Sequence, residues 1–247
     1  MVRPAATSAA RPAPSGGWRP ARLEQRENQT ATGRTLRFHV PGWPGHLPGQ
    51  HVDVRLTADD GYQAVRSYSL AAPADGETVE LGVQSTPGGE VSPYLAEVLP
   101  VGSQVEMKGP LGGWFVWDGT FDGPLLLAGG GSGVVPLMAI LRARRQVRSD
   151  APCTLLYSVR TQGELWYADE LAAAPPFLSV RVLHTRQAPP GSARPVGRIA
   201  AADLDGLSAP SGSRCYVCGP TGFVEHTSDL LLAAGHPADL IRTERYG

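Results

Sequence analysis

The segment from Leu125 to Pro136, with the sequence LLLAGGGSGVVP, constrains the fold of this chain most strongly. Four apolar residues lead directly into a glycine cluster, and a second apolar run, Val134 to Leu141, follows it. The first run predicts a strand buried on both faces, and the second predicts the start of a helix. A strand, a glycine turn and a helix present backbone N–H groups and a positive helix end to a phosphate, so this segment predicts a nucleotide site. Close packing of the helix on the strand is the alternative interpretation of the same glycines.

Beyond about Thr120, strand-length apolar runs alternate with helix-length segments. Strands are predicted at residues 125–128, 154–159, 178–183, 215–218 and 240–243, and helices at residues 134–148, 164–174 and 223–234. Thr161 and Glu164 have the spacing of a capping box for the second helix, and Gly235 is a suitable C′ residue for the third. This alternation predicts a parallel sheet with helices on both faces, which binds its ligand at the carboxyl ends of the strands.

From Trp18 to about Asp118 the pattern differs, because short alternating segments are separated by Pro and Gly. Strands are predicted at residues 34–40, 51–56, 64–70, 78–84 and 103–108, with one short helix at residues 93–99. Short strands at this spacing predict a sandwich or a small barrel. The predicted fold class is therefore two domains, an antiparallel Greek-key β-barrel followed by an α/β Rossmann-like domain with a parallel sheet. The predicted boundaries are a flexible arm at 1–17, the barrel at 18–119 and the α/β domain at 120–247.

The bulk composition narrows the partners and the compartment. The formal net charge is −1, so neither a nucleic acid nor an anionic membrane is predicted as a partner. No apolar run reaches membrane-spanning length, and the N-terminal residues lack an apolar signal-peptide core, so we expect a cytoplasmic protein. The three cysteines imply no disulfide framework.

Two segments of the barrel region are candidate binding sites. In Arg66–Ser67–Tyr68–Ser69, an Arg that can clamp a phosphate stands two residues before a Tyr that can pack on an aromatic ring. In Gly88–Gly89–Glu90–Val91–Ser92, two glycines and a hydroxyl precede the predicted short helix, which suits a second anion. An ordinary solvated strand and a hairpin turn with a Ser N-cap are the alternative interpretations.

The segment Cys215–Tyr216–Val217–Cys218–Gly219–Pro220 contains a C-x-x-C pair but predicts neither a redox centre nor a metal site. The pair lies in an apolar strand, and no second Cys pair or His cluster supplies the other ligands of a zinc site. The odd spacing of the two cysteines should direct Cys215 and Cys218 to opposite faces of the sheet. Cys218 lies at the carboxyl end of the strand, so it is the cysteine expected near the ligand.

The order of these segments is more specific than any one of them. RSYS, GGEVS before a helix, GPLG at residues 109–112, the glycine turn, CGP and the terminal ERYG follow one another between Trp18 and Gly247. In this order they resemble the ferredoxin–NADP reductase superfamily over nearly the whole chain. The resemblance is greatest to the two-domain FAD and NAD(P)H reductase components of bacterial oxygenases, without a fused ferredoxin domain.

The resemblance implies a flavin-dependent oxidoreductase that passes hydride from NAD(P)H to FAD and then electrons to a separate acceptor. A ferredoxin, or another iron–sulfur or haem protein, is the implied acceptor, and FMN is the second choice of flavin. An NAD(P)H-dependent free-flavin or small-molecule reductase is the alternative function. A non-catalytic flavin- or nucleotide-binding subunit is the third, and the oligomeric state is left open.

The resemblance also implies roles for single residues. Ser69 would lie near the flavin N5, Cys218 would lie beside the nicotinamide, and Glu244 and Tyr246 would close the flavin from the C-terminal side. The residues that would hold the flavin are Arg66, Ser67, Tyr68, Ser69, Gly88, Gly89, Val91, Ser92 and Tyr246. Those that would hold the nicotinamide nucleotide are Gly130, Gly131, Ser132, Gly133, Arg160, Arg186, Cys218, Gly219 and Pro220.

The choice of nicotinamide nucleotide depends on the end of the second α/β strand. A 2′-phosphate needs a cation there, whereas sites specific for NADH often place a carboxylate. Arg160 follows that strand, Arg186 lies at a similar level after the third strand, and no Asp or Glu stands at the tip. NADPH is therefore favoured over NADH, and a solvated Arg160 with use of NADH is the alternative.

Other charged positions affect the expected partner and phosphate contacts. A basic run near the end of the first predicted helix, Arg142, Arg144, Arg145 and Arg148, could dock an acidic partner. The interpretation we favour is a solvated face that complements the helix dipole. Conversely, Gln84 stands where many members of the family carry a basic residue, so one phosphate contact of the family is not expected here.

Overall fold

The computed structural model of this chain describes residues 17–147, 149–207 and 212–246. The arm predicted for residues 1–17 therefore lies outside the described residues, except for Gly17. Within the described ranges, no helix combines the length and the apolar character that crossing a bilayer requires.

Six antiparallel strands form the first domain. Their bounds are β1 Arg19–Asn28, β2 Gly33–His39, β3 His51–Thr57, β4 Gln63–Ser69, β5 Thr78–Gln84 and β6 Gln104–Leu111. The order across the sheet is β4-β3-β6-β1-β2-β5, and a bridge between Leu70 and Leu81 brings its two outer edges together. Inward side chains such as Leu23 and Phe38 form one apolar core. A barrel-like first domain is thus confirmed, and the predicted short helix is a π-helical turn, Tyr94–Val98.

Strand β1 has no counterpart among the predicted strands, although it lies in the middle of the sheet. Within its sequence, RPARLEQREN, only Ala21 and Leu23 are buried, and most of the other residues are charged. The register also shifts between Leu23 and Gln25, which breaks the alternation. Strand β1 therefore depends on its hydrogen bonds to β2 and β6 more than on its own periodicity.

The second domain is a five-stranded parallel sheet with helices on both faces, as the alternation predicts. Its elements are β7 Leu125–Gly130, α1 Val134–Gln146, β8 Cys153–Val159, α2 Ala168–Ala172, β9 Leu178–His184, β10 Arg214–Pro220, α3 Thr221–Ala233 and β11 Ile241–Tyr246. The strand order is β11-β10-β7-β8-β9. Helix α1 and Cys218 belong to the core on one face, whereas α3 and Cys215 belong to the core on the other. The predicted opposite orientations of the two cysteines are therefore confirmed.

The second predicted helix is wrong in its extent. The structure has a 3-10 turn at Gln162–Glu164 and only the short helix α2 after it. The capping box is also wrong, because the Thr161 side chain makes no capping hydrogen bond and the Glu164 N–H donates to the Thr161 carbonyl over 3.1 Å. Tyr167 has a left-handed backbone, with φ of 55°, and this conformation separates the turn from α2.

The ends of the other two helices are closer to prediction. Gly235 has a φ of 90°, and its N–H donates to the Leu232 carbonyl over 3.0 Å. The His236 N–H donates to the Leu231 carbonyl over 3.0 Å, which completes a Schellman motif after α3. Helix α1 is shorter than predicted, and Arg148 lies outside the described residues.

The interpretation of the basic run on α1 as a solvated face is wrong for Arg142 and Arg144, whereas Arg145 is exposed and Arg148 lies outside the described residues. Arg142 forms ion pairs with Glu80 of the barrel and with Glu170 of α2. Arg144 is fully buried and donates to two backbone carbonyls in the connections before β7 and β8. Tertiary packing thus engages two of these side chains inside the protein.

Two glycines of the barrel receive side chains of the second domain. A Cβ on Gly33 would overlap the ring of Trp166, and a Cβ on Gly82 would overlap Val135 at the start of α1. Glycine within a strand permits such a close approach. The approach at Gly82 brings the glycine turn of the α/β domain against the barrel, so both predicted ligand regions meet at one junction.

Candidate functional site

A cavity of about 350 Å³ lies where the two domains meet. The end of β4 and the turn before the Tyr94–Val98 segment bound it on the barrel side, and the glycine turn and the end of β11 bound it on the other. The predicted site residues that line it are Arg66, Ser67, Tyr68, Ser69, Gly89, Val91, Ser92, Ser132 and Tyr246. The structure therefore gathers residues of both predicted ligand regions around one space of ligand-binding size.

Two tyrosines from different domains face this cavity. Tyr68 comes from β4 and packs against the barrel core, and its buried hydroxyl has no hydrogen-bond partner among the described residues. Burial raises the pKa of Tyr68 to about 12, against a smaller opposing effect of Arg66. Tyr246 comes from the end of β11 and is 39% exposed. Two aromatic rings lining one narrow space suit a planar ligand.

The Tyr246 side chain reaches from the end of β11 into the glycine turn. Its hydroxyl accepts a hydrogen bond from the Gly133 N–H over 3.2 Å and donates to the Gly130 carbonyl over 2.6 Å. The Gly133 N–H lies at the start of the helical segment, where backbone donors have no partner within the helix. The Tyr246 hydroxyl therefore occupies the Gly133 N–H, a backbone donor of the turn that the sequence predicts to bind a phosphate.

A hydrogen bond links Ser69 at the end of β4 to Glu244 in β11. The Ser69 Oγ donates to the Glu244 Oε1 over 3.2 Å. Burial raises the pKa of Glu244 to about 7, and the bond from Ser69 opposes that shift only in part. Cys218 is the register partner of Glu244 across β10 and β11, and burial, followed by the Glu244 charge, raises the pKa of its thiol well above the usual value. The site thus holds a carboxyl that exchanges a proton near neutral pH beside a thiol that stays protonated.

The glycine turn combines both interpretations of its sequence. A Cβ on Gly133 would overlap the Cys218 backbone, and a Cβ on Gly130 would lie 2.9 Å from the Phe223 ring. These two glycines therefore allow close packing within the domain. Gly131 has a φ of 56° and lies beside the Tyr246 hydroxyl, so its role is the left-handed conformation of the turn itself.

The second glycine segment forms a turn beside Arg66. Gly88 has a φ of 75°, and the Gly89 N–H donates to the Thr86 carbonyl over 2.9 Å. The Ser92 hydroxyl accepts from the Thr86 N–H over 3.2 Å, so it closes this turn and does not cap the following helical turn. Arg66 is exposed and forms no ion pair within the described part of the chain. A guanidinium beside a glycine turn suits an anionic group of a ligand.

Other predicted site residues lie outside the cavity. Arg160 and Arg186 are exposed beyond β8 and β9, and the Arg186 N–H donates to the Arg160 carbonyl over 3.0 Å, so the two lie side by side. A Cβ on Gly219 would lie 3.2 Å from the Gly130 Cα, and Pro220 is exposed at the end of β10. The remaining predicted residues outside the cavity are Gly88, Gly130, Gly131, Gly133, Cys218 and Glu244.

Several lining residues were not among those predicted to hold a ligand: Gly82, Gln84, Thr86, Glu90 and Val135. Gly82 carries a sequence signal, because a glycine inside a strand marks the close approach of another group. Val135 carries none, since its place depends on how α1 docks against β5. Ser67 lines the cavity, but its hydroxyl donates to Asp53 of β3 over 2.6 Å.

Comparison with known proteins identifies each domain. Residues 20–116 match the family model described as an oxidoreductase FAD-binding domain, and residues 127–229 match the model described as an oxidoreductase NAD-binding domain. The two matches follow one another in the order of the barrel and the parallel sheet.

Two curated relatives of this chain are a reductase component and a flavohemoprotein. The chain is 34% identical over 208 residues to the ferredoxin–NAD(P)+ reductase component of naphthalene 1,2-dioxygenase/salicylate 5-hydroxylase systems from a Ralstonia species, covering 82% of this chain and 61% of that protein. It is 30% identical over 255 residues to a flavohemoprotein from Chromobacterium violaceum, covering 94% of this chain and 61% of that protein. The chain therefore spans 61% of the length of each relative.

A solved structure of similar extent has the same fold. The flavohem-like FAD/NAD-binding domain of nitric oxide dioxygenase from Vibrio cholerae O1 biovar El Tor superposes with a TM-score of 0.80 at 26% identity. The match covers 93% of this chain and 98% of that one. With its FAD-binding and NAD-binding domain matches, its two-sheet fold and the ligand-sized cavity at their junction, this chain belongs to the ferredoxin–NADP reductase superfamily.

Proposed function

We propose that this chain passes hydride from NAD(P)H to FAD and then electrons to a separate redox partner. The observation that carries the proposal is the junction of the domains, where Tyr68 and Ser69 of the barrel meet Tyr246 and Glu244 of the α/β domain. Transfer between two cofactors requires that both be held in one geometry, and a site built from two domains can do this.

The residues of the cavity fit a flavin. Tyr68 and Tyr246 offer apolar faces to a planar ring, and Ser69 offers a hydroxyl at the same end of β4. Arg66 and the turn at Gly89 offer a cation and small backbone groups for phosphates. These chemical groups match the ring and the phosphate portion of the cofactor in the order that β4 presents them.

A neighbouring cleft supports FAD over FMN. This cleft, of about 770 Å³, shares Glu90 with the cavity and is lined by the aromatic residues Trp18, Tyr62 and Tyr94. FAD differs from FMN by an adenosine monophosphate, whose base packs on aromatic surfaces. We therefore assign the cavity to the flavin and the neighbouring cleft to the adenosine.

The side chains around the cavity prepare it for hydride transfer. When FAD is bound, it accepts hydride from a nicotinamide and supplies electrons one at a time to an acceptor. Glu244 holds or releases a proton near neutral pH, and the Ser69 Oγ relays it between the carboxyl and the cavity. Cys218 is buried beside Glu244 and stays a neutral thiol, so it places no charge near the nicotinamide. Tyr246 excludes water from the cavity until the nucleotide displaces its hydroxyl from the glycine turn.

Arg160 and Arg186 support NADPH as the reductant. Both side chains are exposed at the carboxyl ends of neighbouring parallel strands, which is where a nucleotide ribose binds in such sheets. Two guanidinium groups at that place suit a 2′-phosphate. If the protein uses NADH equally well, these two side chains are ordinary solvated groups and bind no phosphate.

The relatives support a protein partner as the electron acceptor. This support comes from the relative that is named as a ferredoxin–NAD(P)+ reductase component of dioxygenase and hydroxylase systems, whereas the name of the flavohemoprotein gives no separate partner. A ferredoxin or another iron–sulfur or haem protein is the acceptor that we propose. Free flavin is the alternative acceptor, and a non-catalytic subunit is the alternative role.

We propose the domain boundaries at residues 18–119 and 120–247. The family matches at residues 20–116 and 127–229 leave an interval between them that contains this boundary, which supports the proposal. Strand β6 ends at Leu111 and β7 begins at Leu125, so the boundary falls in the connection between them.

The test begins with the absorption spectrum of the purified protein and anaerobic addition of NADPH or NADH. We expect the spectrum to show flavin bands, and we expect these bands to bleach at a lower concentration of NADPH than of NADH. A plant-type ferredoxin and free FMN are then compared as acceptors, and faster reduction of the ferredoxin is expected. A colourless protein that takes up no added FAD would contradict the proposal, and a preference for free FMN would favour the alternative reductase.

A further inference from the structure

The guanidinium of Arg142, in the C-terminal half of α1, joins the two domains. The Arg142 Nη1 donates to the Glu80 carboxylate of β5 over 2.6 Å and to the Ala71 carbonyl over 3.0 Å. The Arg142 Nη2 donates to the Glu170 carboxylate of α2 over 2.7 Å. The side chain is only 22% exposed. Arg142 therefore connects a barrel strand with two helices of the α/β domain.

The surroundings of Arg142 favour a fixed geometry. Burial alone would lower the pKa of Arg142, but the hydrogen bond that it donates to Glu170 and the charges of Glu80 and Glu170 raise it. The guanidinium also lies 5.0 Å from the ring centroid of Tyr167, the residue with the left-handed backbone. The Tyr167 N–H in turn donates over 3.1 Å to the side chain of Gln29, which lies in the connection between β1 and β2 of the barrel.

Strand β5 and helix α1 touch at two points. Glu80 and Gly82 lie on the same face of β5, because they are two residues apart. Gly82 receives Val135, which lines the cavity, and Glu80 receives Arg142. Val135 and Arg142 are seven residues apart in the sequence, about two helical turns. Two contacts at this separation define the direction of α1 against β5, a constraint that the Gly82 contact alone does not supply.

The direction of α1 matters because the glycine turn leads directly into this helix. A pivot about Gly82 would move Gly131 and Ser132 relative to Ser69 in the barrel. We propose that Arg142 is a positioning residue, which holds the nucleotide-binding turn at the distance from the flavin cavity that hydride transfer requires. This inference rests on the proposed function. Small displacements of reacting groups cost about a hundredfold in rate, so a loosened helix should affect the transfer step most.

A merely stabilising ion pair is the competing explanation, and the variants are chosen to separate the two. Arg142→Met keeps the apolar stem and removes the charge, and Arg142→Lys restores a charge without the forked geometry. Glu80→Gln removes the charged barrel partner of Arg142, keeps the Ala71 carbonyl as an acceptor and also removes a longer ion pair between Glu80 and Arg37. Arg145→Met is the matched control, because Arg145 lies on the same helix and also faces Glu170, at 3.6 Å, with a side chain that is 45% exposed.

The kinetic measurement follows flavin reduction by NADPH in a stopped-flow instrument, using the flavin-loaded proteins. For Arg142→Met we expect unchanged flavin content, a nucleotide KM within about twofold of the wild type, and a limiting rate about tenfold lower. Arg142→Lys should recover part of the rate, Glu80→Gln should lower it, and Arg145→Met should leave it unchanged. A wild-type limiting rate in Arg142→Met, or a loss no larger than its loss of flavin or folded protein, overturns the inference.

A second measurement does not depend on activity. Spin labels are attached at Glu97→Cys in the barrel and Asp229→Cys in α3, two exposed positions, while the three native cysteines are buried. Pulsed electron resonance should show a broader or shifted distance distribution in Arg142→Met than in the wild type or Arg145→Met. Identical distributions overturn the inference. A wild-type protein that neither nucleotide reduces would instead overturn the proposed function, and the distance measurement would still decide the role of Arg142.

Discussion

The Tyr246 hydroxyl accepts a hydrogen bond from the Gly133 N–H over 3.2 Å, at the point where the glycine turn enters the helical segment. The same hydroxyl donates to the Gly130 carbonyl over 2.6 Å. A backbone donor at a helix start is what a nucleotide phosphate binds. On the proposed function, we therefore expect Tyr246 and the nucleotide to compete for this N–H group, so that the contact breaks when the nucleotide enters.

Removing this hydroxyl should tighten nucleotide binding. In Tyr246→Phe the ring remains, but the competing hydrogen bonds are lost, so we expect the dissociation constant of the nicotinamide nucleotide to fall by about twofold to tenfold. Fluorescence titration of the flavin-loaded protein with NADP+ measures it, and flavin content is the control. An unchanged or weaker affinity would mean that the hydroxyl does not compete with the nucleotide.

Arg66 should determine whether the flavin stays bound. Because its guanidinium is exposed at the cavity and forms no ion pair among the described residues, we expect Arg66→Ala to lose most of its flavin during purification. The ratio of flavin absorbance to protein absorbance measures the loss. Arg22→Ala, on the exposed side of β1, is the control. An Arg66→Ala protein that remains fully yellow would refute the phosphate assignment.

The two cysteines of the C-x-x-C pair offer a matched comparison. Cys218 lies on the face of the sheet beside Glu244, and Cys215 lies on the opposite face. We expect Cys218→Ala to lower the rate of hydride transfer by about tenfold with flavin content unchanged, because a nicotinamide contact is lost. Cys215→Ala should keep the wild-type rate. Stopped-flow reduction tests both, and loss of flavin from Cys218→Ala would refute the assignment.

The protonation of Glu244 should make stability depend on pH. Its pKa is raised from 4.5 to about 7, so between these values the folded protein holds a proton that the unfolded chain has released. The stability that this proton confers is complete below the lower value and is lost as the pH rises through the higher one. We expect the melting temperature of the wild type to fall relative to Glu244→Gln between about pH 5 and about pH 8. The exposed Glu97→Gln is the control, and parallel pH profiles for all three proteins would show that Glu244 does not titrate in this range.

The two exposed arginines beyond β8 and β9 should distinguish NADPH from NADH. We expect Arg160→Ala to raise the KM for NADPH by about tenfold, the effect of losing one charged hydrogen bond, and to leave the KM for NADH unchanged. Arg186→Ala should act in the same direction. Steady-state reduction of ferricyanide measures both constants. An equal effect on the two nucleotides would mean that neither guanidinium binds a 2′-phosphate.

The predictions that succeeded concern residues whose conformation and burial depend on their neighbours in the sequence. The apolar run before the glycine turn predicts β7 correctly, because a parallel strand covered on both faces must be apolar throughout. The odd spacing of Cys215 and Cys218 places them on opposite faces for the same local reason. Gly235 follows prediction too, since a left-handed helix end depends on a few adjacent residues.

The predictions that failed concern residues whose role is set by distant parts of the chain. Arg142 and Arg144 look like a solvated helix end in the sequence, but carboxylates and carbonyls from other elements surround them in the structure. The Thr161–Glu164 box is lost because the chain turns at Tyr167 to meet the barrel. Strand β1 escapes prediction because its pairing with β2 and β6 outweighs its weak alternation.

By itself, the amino-acid sequence determined the two-domain fold and the positions of the glycine turn, the Arg66 strand and the Cys218 strand, because each follows from local periodicity and backbone freedom. Only the tertiary structure decided that Ser69 bonds Glu244 over 3.2 Å, that Tyr246 closes the glycine turn and that Arg142 joins the domains. These contacts join residues far apart in the chain. Their geometry depends on how closely two domains pack, and glycines such as Gly82 set that distance only once both partners are folded.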